Sequence, residues 1–245
     1  VADADEAELE AARQRRIADA CLGAGGDAGG RVGVYRRLVR GNLETIARRI
    51  LPRTAAQLDR LRSDAFHDWF GRFLAERGPR TAFLRDVPPE FIRWAGPLWA
   101  TDGDVPPFLP DLARHEVDLF EVDAAPRDPT PSPLAEVALD RPLVFAAARR
   151  LARYDHAVQE PGDPVERRVT HLLIHRDHEN TVHVKVIDER DLPLLELLLG
   201  GTPLGEAIAA SVTRRAADAS EPPVTALAEW LAGLGETGAL LGGER

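Results

Sequence analysis

The sequence predicts an α+β protein in two parts, a helical N-terminal domain followed by a small mixed C-terminal domain. Three observations carry this. Apolar residues up to about position 124 recur at three- and four-residue steps, a stretch with four prolines in eight residues (126–133) then interrupts the chain, and residues 170–187 alternate in the manner of a β-hairpin. With 245 residues, 44% of them hydrophobic, the chain is long enough to bury a core in each part. The expected organisation is 1–125 as the helical domain, 126–133 as a linker and 134–245 as the second domain.

Within the first part, residues 5–22 read as a helix rich in Ala, Glu and Arg that stops in the glycine-rich hinge GAGGDAGG. From Val32 a second helix places Tyr35, Val39, Leu43, Ile46 and Ile50 on an apolar stripe, with Arg37, Arg40, Glu44 and Arg48 on the wet face, and Pro52 ends it. Ser63 serves as N-cap for a third helix in which Phe66, Trp69, Phe70, Phe73 and Leu74 share one side, closed by Gly78 and Pro79. A short helix near Pro89 and a longer one over 110–124 complete this part. In the second part 143–145 and 153–158 are candidate strands, and a hairpin centred on His178 pairs Ile174 with Val182, Leu172 with Val184 and Thr170 with Val186 on a buried face. His171, Leu173, His175, Thr181, His183 and Lys185 then lie on the exposed face. Helices over 192–199, from Pro203 to about 217 (with Thr202 as N-cap) and over 224–234 follow. A hairpin with three short helices is the outline of a winged helix.

Charge is unevenly spread. Residues 31–80 hold 12 Arg against 5 acids, whereas 101–125 hold 7 acids against Arg114. Such runs are either solvated helix faces or surfaces for protein partners. The net charge of -9 makes nucleic acid an unfavoured partner. No apolar run approaches the length of a membrane span and the first residues are acidic, so a cytoplasmic protein is expected, without membrane contact.

The residue types that carry chemistry are present without the spacing that chemistry needs. A single cysteine, Cys21, excludes an internal disulfide, and neither a phosphate-binding loop nor a nucleophile elbow around Ser63, Ser132, Ser211 or Ser220 exists. His171 and His175 lie about 13 Å apart along a strand at ~3.3 Å per residue, too far to share an ion, and no carboxylate or thiolate completes a site with His175 and His183. His115-Glu116 lacks the second histidine of a zincin helix. No catalytic residue and no resident metal or cofactor is therefore expected. Recognition remains. The helix from Pro203 begins Leu204-Gly205-Glu206, which would set a carboxylate against DNA phosphate. The hairpin's free edge suits an extended peptide instead, added as a strand over Thr181, Val182, His183, Val184, Lys185 and Val186. Leu227, Trp230 and Leu231 of the last helix either line side-chain pockets beside it or belong to the core.

Two sets of motifs carry a resemblance. The run DLPLLELLLGGTPLGEAI (191–208), followed by WLAGL (230–234) and TGAL (237–240), resembles the PqqD-type leader-recognition elements of ribosomal peptide biosynthesis. The runs VYRRLVRGNL (34–43), GPRTAFLRDV (78–87) and FLPDLARHE (108–116) are similar to HvfC/BufC-type (MbnC-like) proteins. The resemblance implies a non-catalytic subunit that binds a precursor (leader) peptide and presents it to a multinuclear non-haem iron oxidase of TIM-barrel type, with the iron in that partner. It further implies partner contacts at Tyr35, Arg36, Arg40, Asn42, Arg80, Arg85, Asp86, His115 and Glu116. A winged-helix DNA-binding regulator and an enzyme in its own right are the alternatives.

Overall fold

A computed structural model describes residues 31–81, 83–126, 136–162, 165–215 and 224–244, so the helix and hinge expected before residue 31, with Cys21, and nearly all of the proline-rich linker lie outside the described residues. The fold is α+β. The chain forms two compact units, 1–117 and 118–245, dividing upstream of the linker, inside the helix that runs from Leu109 to Asp123. Among the described residues no helix is long and apolar enough to cross a membrane.

The first unit contains α1 (Arg31–Ile50), α2 (Pro52–Leu61), α3 (Ala65–Glu76), a 3₁₀ turn (Leu84–Asp86), α4 (Val87–Trp99) and the start of α5 (Leu109–Asp123). Helix α2 was not anticipated, although Pro52 at its first turn and the spacing of Leu51, Thr54, Ala55 and Leu58, all buried, are a readable signal. Its N-terminus is closed from outside. The Glu116 carboxylate accepts the N–H of Arg53 (2.8 Å), the N–H of Thr54 (3.0 Å) and the Thr54 hydroxyl (2.6 Å). Burial pushes the Glu116 carboxyl up, while these three donors pull it down.

Helix α1 is rotated from its expected stripe. Leu43, Ala47 and the following Leu51 are buried, whereas Tyr35 is 57% exposed. The supposed wet face instead joins three helices: Arg48 bonds Glu44 (2.9 Å) and Asp59 (2.6 Å), His67 lies 2.7 Å from Glu44, and Asp59 accepts the N–H of Phe66 (3.0 Å). The cap of helix α3 falls one residue after the expected Ser63, on Asp64 at φ 62°, with no side-chain capping bond of its own, because Asp59 of α2 takes the Phe66 amide. Gly78, at φ 62°, ends the helix by donating its N–H to the Phe73 carbonyl, a conformation in which a side chain would be strained. The stripe from α3 meets α4 in an aromatic core where Phe66, Phe70 and Phe73 surround Phe91 at centroid distances of 5.7, 5.2 and 5.6 Å.

The second unit holds β1 (Leu143–Phe145), β2 (Arg149–Tyr154), β3 (Thr170–Arg176), β4 (Val182–Ile187), α6 (Leu192–Leu199), α7 (Leu204–Arg215), α8 (Val224–Glu236) and β5 (Leu240–Gly243). Strands β2, β3 and β4 form an antiparallel meander, and β1 pairs with β5. The expected strand over 153–158 begins earlier and ends at Tyr154, since pairing with β3 from Arg149–His175 to Tyr154–Thr170 sets it. The hairpin register also differs by two residues. Ile174 faces Val184 and His175 faces His183, because the turn closes where Asp177 donates its N–H to the Thr181 carbonyl at 3.0 Å and Asn180 takes φ 66°. Helices α6, α7 and α8 cover Leu173 and Ile187, with Leu194, Leu195, Leu198, Leu204 and Leu234 in one apolar cluster.

The acidic run of α5 is largely structural. Asp118 accepts from Arg150 and, at 2.5 Å, from the Tyr154 hydroxyl, and Glu121 lies 2.6 Å from Arg150. The buried cap on α2 gives a direct test. Replacing Glu116 by Ala leaves two helix N–H groups and a hydroxyl without their acceptor and is expected to cost about 3 kcal/mol in urea unfolding. A loss below roughly 0.5 kcal/mol, the size usual for surface changes, would refute the cap.

Candidate functional site

Strand β4 is an edge of the meander: among the described residues nothing pairs with its outer side. Antiparallel ladders alternate, so the bonded closure at Asp177–Thr181 makes His175–His183, Leu173–Lys185 and His171–Ile187 the hydrogen-bonded pairs. The N–H and C=O groups of Val182, Val184 and Val186 therefore point away from the sheet. A bond from the Arg176 N–H to the Ala148 carbonyl on the other side of β3 gives the same alternation.

The two faces of the hairpin are reversed on β4 from what the sequence suggested. Leu172 and Ile174 are buried, but on β4 the same face opens, with Val184 40% and Val186 56% exposed. The face expected to be exposed is the one packed against the helices, and it buries Leu173, His175 and Ile187 completely or nearly so. His183 is not a free surface histidine. Its Nε2 lies 2.7 Å from Asp177, whose other carboxylate oxygen accepts the N–H groups of Glu179 and Thr181, each at 2.8 Å. The His183 ring stacks on that of His175 at 5.2 Å between centroids.

Helix α8 approaches this hairpin through its last turn. His175 Nε2 donates to the Thr237 carbonyl at 2.8 Å, a Cβ on Gly238 would stand 3.0 Å from the Asp177 side chain, and one on Gly233 would stand 3.0 Å from Lys185 Nζ. Gly238 also has φ 73°, so both the close approach and the backbone favour glycine there. Leu227, Trp230 and Leu231 are half-buried against the cluster, on the same stripe as the fully buried Leu234. They serve the core and still present surface. Of the sequence-predicted peptide residues, Val182 to Val186 thus form one open edge, Lys185 reaches α8, and Thr181 closes the turn.

Of the expected partner residues, Arg80 stands apart, its backbone N–H donated to Glu90 of α4 at 2.7 Å, and the others separate into two groups. Tyr35, Arg36, Arg40 and Asn42 lie on α1, which contacts the 3₁₀ turn carrying Arg85 and Asp86. There Val34, Tyr35, Leu38, Phe83 and Leu84 are all exposed apolar residues, and Arg85 stands over the Phe83 ring at 5.7 Å. Asp86 accepts the Thr81 hydroxyl. His115 and Glu116, in contrast, are 3% and 5% exposed and belong to the interior. Sequence reading missed Val34, Leu38, Phe83 and Leu84; their signal is apolar residues off the buried stripe. Among the described residues no group of three or more His, Cys, Asp or Glu is disposed to hold a metal ion.

No family model matches the chain, and no curated protein is found similar to it. The site therefore stands on its own geometry.

His175 gives that geometry a pH dependence. Burial depresses its pKa below the ordinary 6.5, the bond to Thr237 opposes this, and His183 and Lys185 add to the depression while Asp177 counters it. Its Nδ1 is buried and has no partner among the described residues, so protonation would bury an unsatisfied donor. Below pH 6.5 the unfolded chain takes up the proton first, and stability is lost as pH falls from there through the depressed folded value. The melting temperature should drop between pH 7.5 and pH 5, and His175→Phe, though less stable at pH 7.5, should lose less on acidification. An equal drop in both proteins would show that His175 carries none of the dependence.

Proposed function

We propose that the chain is a non-catalytic partner subunit. Its C-terminal unit takes an extended segment of a ribosomally made precursor peptide along β4, and its N-terminal unit docks a separate multinuclear non-haem iron oxidase of TIM-barrel type, which holds the iron and performs the chemistry. The observation that carries this reading is the open edge of β4, where the outward N–H and C=O groups of Val182, Val184 and Val186 stand ready for an added strand. An unpaired edge bearing exposed valines is also a liability that folded proteins usually blunt with charge or proline. A peptide partner gives it a use.

Two further features support the reading. The half-buried Leu227, Trp230 and Leu231 offer apolar surface for alternate peptide side chains, and the exposed Val34, Tyr35, Leu38, Phe83 and Leu84 offer the N-terminal unit an apolar docking patch with Arg85 beside it. The hairpin followed by three helices is read as winged-helix-like, with the proline-rich segment as a linker and the cytoplasm as the working compartment. The DNA-binding alternative is less favoured. The first turn of α7, which would enter a groove, has its Leu204 and Gly205 N–H groups taken by the Arg141 and Leu139 carbonyls at 3.1 and 2.7 Å, and it carries Glu206.

A proline at Val184 tests the edge. Its N–H points outward, so the substitution removes a donor from the open side without breaking a bond to β3, and edge strands tolerate proline in that orientation. Val184→Pro should keep the far-UV circular dichroism of the native chain and weaken binding of a peptide selected from a displayed 15-residue library at least tenfold. Unchanged affinity in a folded variant would place the peptide elsewhere. Docking of the oxidase is tested at the other unit. Leu38→Asp should separate a co-expressed complex into two peaks on size exclusion, and a complex that survives both Leu38→Asp and Phe83→Asp does not use this patch.

A further inference from the structure

The N-terminal unit contains a cleft of about 360 Å³ that the proposed function does not use, lined by Phe73, Arg77, Arg80, Glu90, Arg93 and Trp94. This lies at the lower end of the volumes of small-ligand sites. Its composition is one-sided. Among the described residues neither Arg77 nor Arg80 brings its guanidinium to a carboxylate, and Arg93 only donates its Nε–H to the Pro89 carbonyl at 3.3 Å. The single acid, Glu90, accepts the backbone N–H of Arg80 at 2.7 Å, which ties the wall bearing Arg80 to α4. Three cations thus face one cavity against one carboxylate already engaged.

The floor is aromatic and rigid. Phe73 is fully buried and packs on Trp94 at 5.8 Å, while Arg72 stands 5.5 Å over the Trp94 ring and Phe91 stacks on it at 6.4 Å, inclined by 28°. The ring of Trp94 is therefore largely occupied by protein, and what it offers a ligand is apolar rim. Planar guanidinium forks match carboxylate oxygens two by two, and an apolar floor rewards a hydrophobic group held beside the charge. A dianionic phosphate suits the cleft less well, since Glu90 lies within it and repels a second negative charge. Base stacking needs an uncovered ring face.

We propose that this cleft binds a carboxylate borne next to an aromatic or branched apolar side chain. Two sources share that chemistry: the free C-terminus of a peptide ending in such a residue, and an Asp or Glu beside such a residue within an acidic segment. The site belongs to the first unit alone, and it stands whether or not β4 takes a peptide.

The test titrates the full chain at low salt with three probes, acetyl-Ala-Ala-Phe with a free carboxylate, the same tripeptide amidated, and acetyl-Ala-Glu-Phe amide, following tryptophan indole N–H signals assigned with Trp94→Phe. The free acid or the glutamyl amide should bind at least tenfold more tightly than the neutral amide and shift the Trp94 signal, and the tighter of the two identifies the source. Arg77→Gln with Arg93→Gln should remove that preference while the melting temperature stays the same. If that double variant melts early, the native chain should still lose the preference on raising the salt to 1 M, where surface charges are screened. Equal affinity for acid and amide, a preference that survives the arginine replacements, or displacement of the acid by an equal concentration of inorganic phosphate or oligothymidylate would each overturn the proposal.

Discussion

Leu172, Leu173, Ile174 and His175 of β3 are all buried, so β3 is a central strand with no face to spare, and the backbone of this sheet can reach outward only through β2 and β4. These two edges are not equivalent. On β2, Arg150 is held by Asp118 and Glu121, Arg149 donates to the Ala146 carbonyl, and Arg153 pairs with Asp155. Charge along an edge opposes strand addition. On β4 the side chains beside the outward backbone groups are valines, while His183 and Lys185 turn toward the helical side. What the C-terminal unit leaves open at its surface follows from burial of one strand more than from any reactive side chain.

The acids between 101 and 125 illustrate how a charge run can mislead. By sequence they are a solvated face or a docking surface, because neither periodicity nor spacing reveals a partner distant in the chain. In the fold Glu116 closes the start of α2, and Asp118 receives Arg150 and Tyr154. A carboxylate that accepts two backbone N–H groups replaces the local N-cap that Leu51 cannot supply. The same logic operates at α3, where Asp59 does what Ser63 was expected to do. Caps supplied across space are invisible to a rule that reads them from the preceding residue.

Legibility tracked how local the cause was. The aromatic stripe of α3, the strand 143–145 and the helix 192–199 were readable because pattern alone specifies them. Strand β2 was misplaced because RRLARY has little intrinsic strand preference and owes its conformation to pairing with β3. Strand β5, with two glycines in LLGG, is likewise set by its partner β1. For the candidate site, the open edge was anticipated in the right strand, and the register was off by two because the Asp177 side chain, not His178, organises the turn. The parity of the faces survived that slip, but which face the helices would cover was not written in the alternation, since β3 is apolar on both sides. The alternation consequently predicts His183 and Lys185 exposed, whereas both are partly buried.

Hydrogen exchange on β4 tests the account most directly. In the presence of a saturating peptide selected from a displayed 15-residue library, the amide protons of Val182, Val184 and Val186 should slow at least tenfold. Those of His183, Lys185 and Ile187, already donors to β3, should change little. Protection confined to α7, or spread equally over both sets of β4 amides, would contradict a peptide added at the edge.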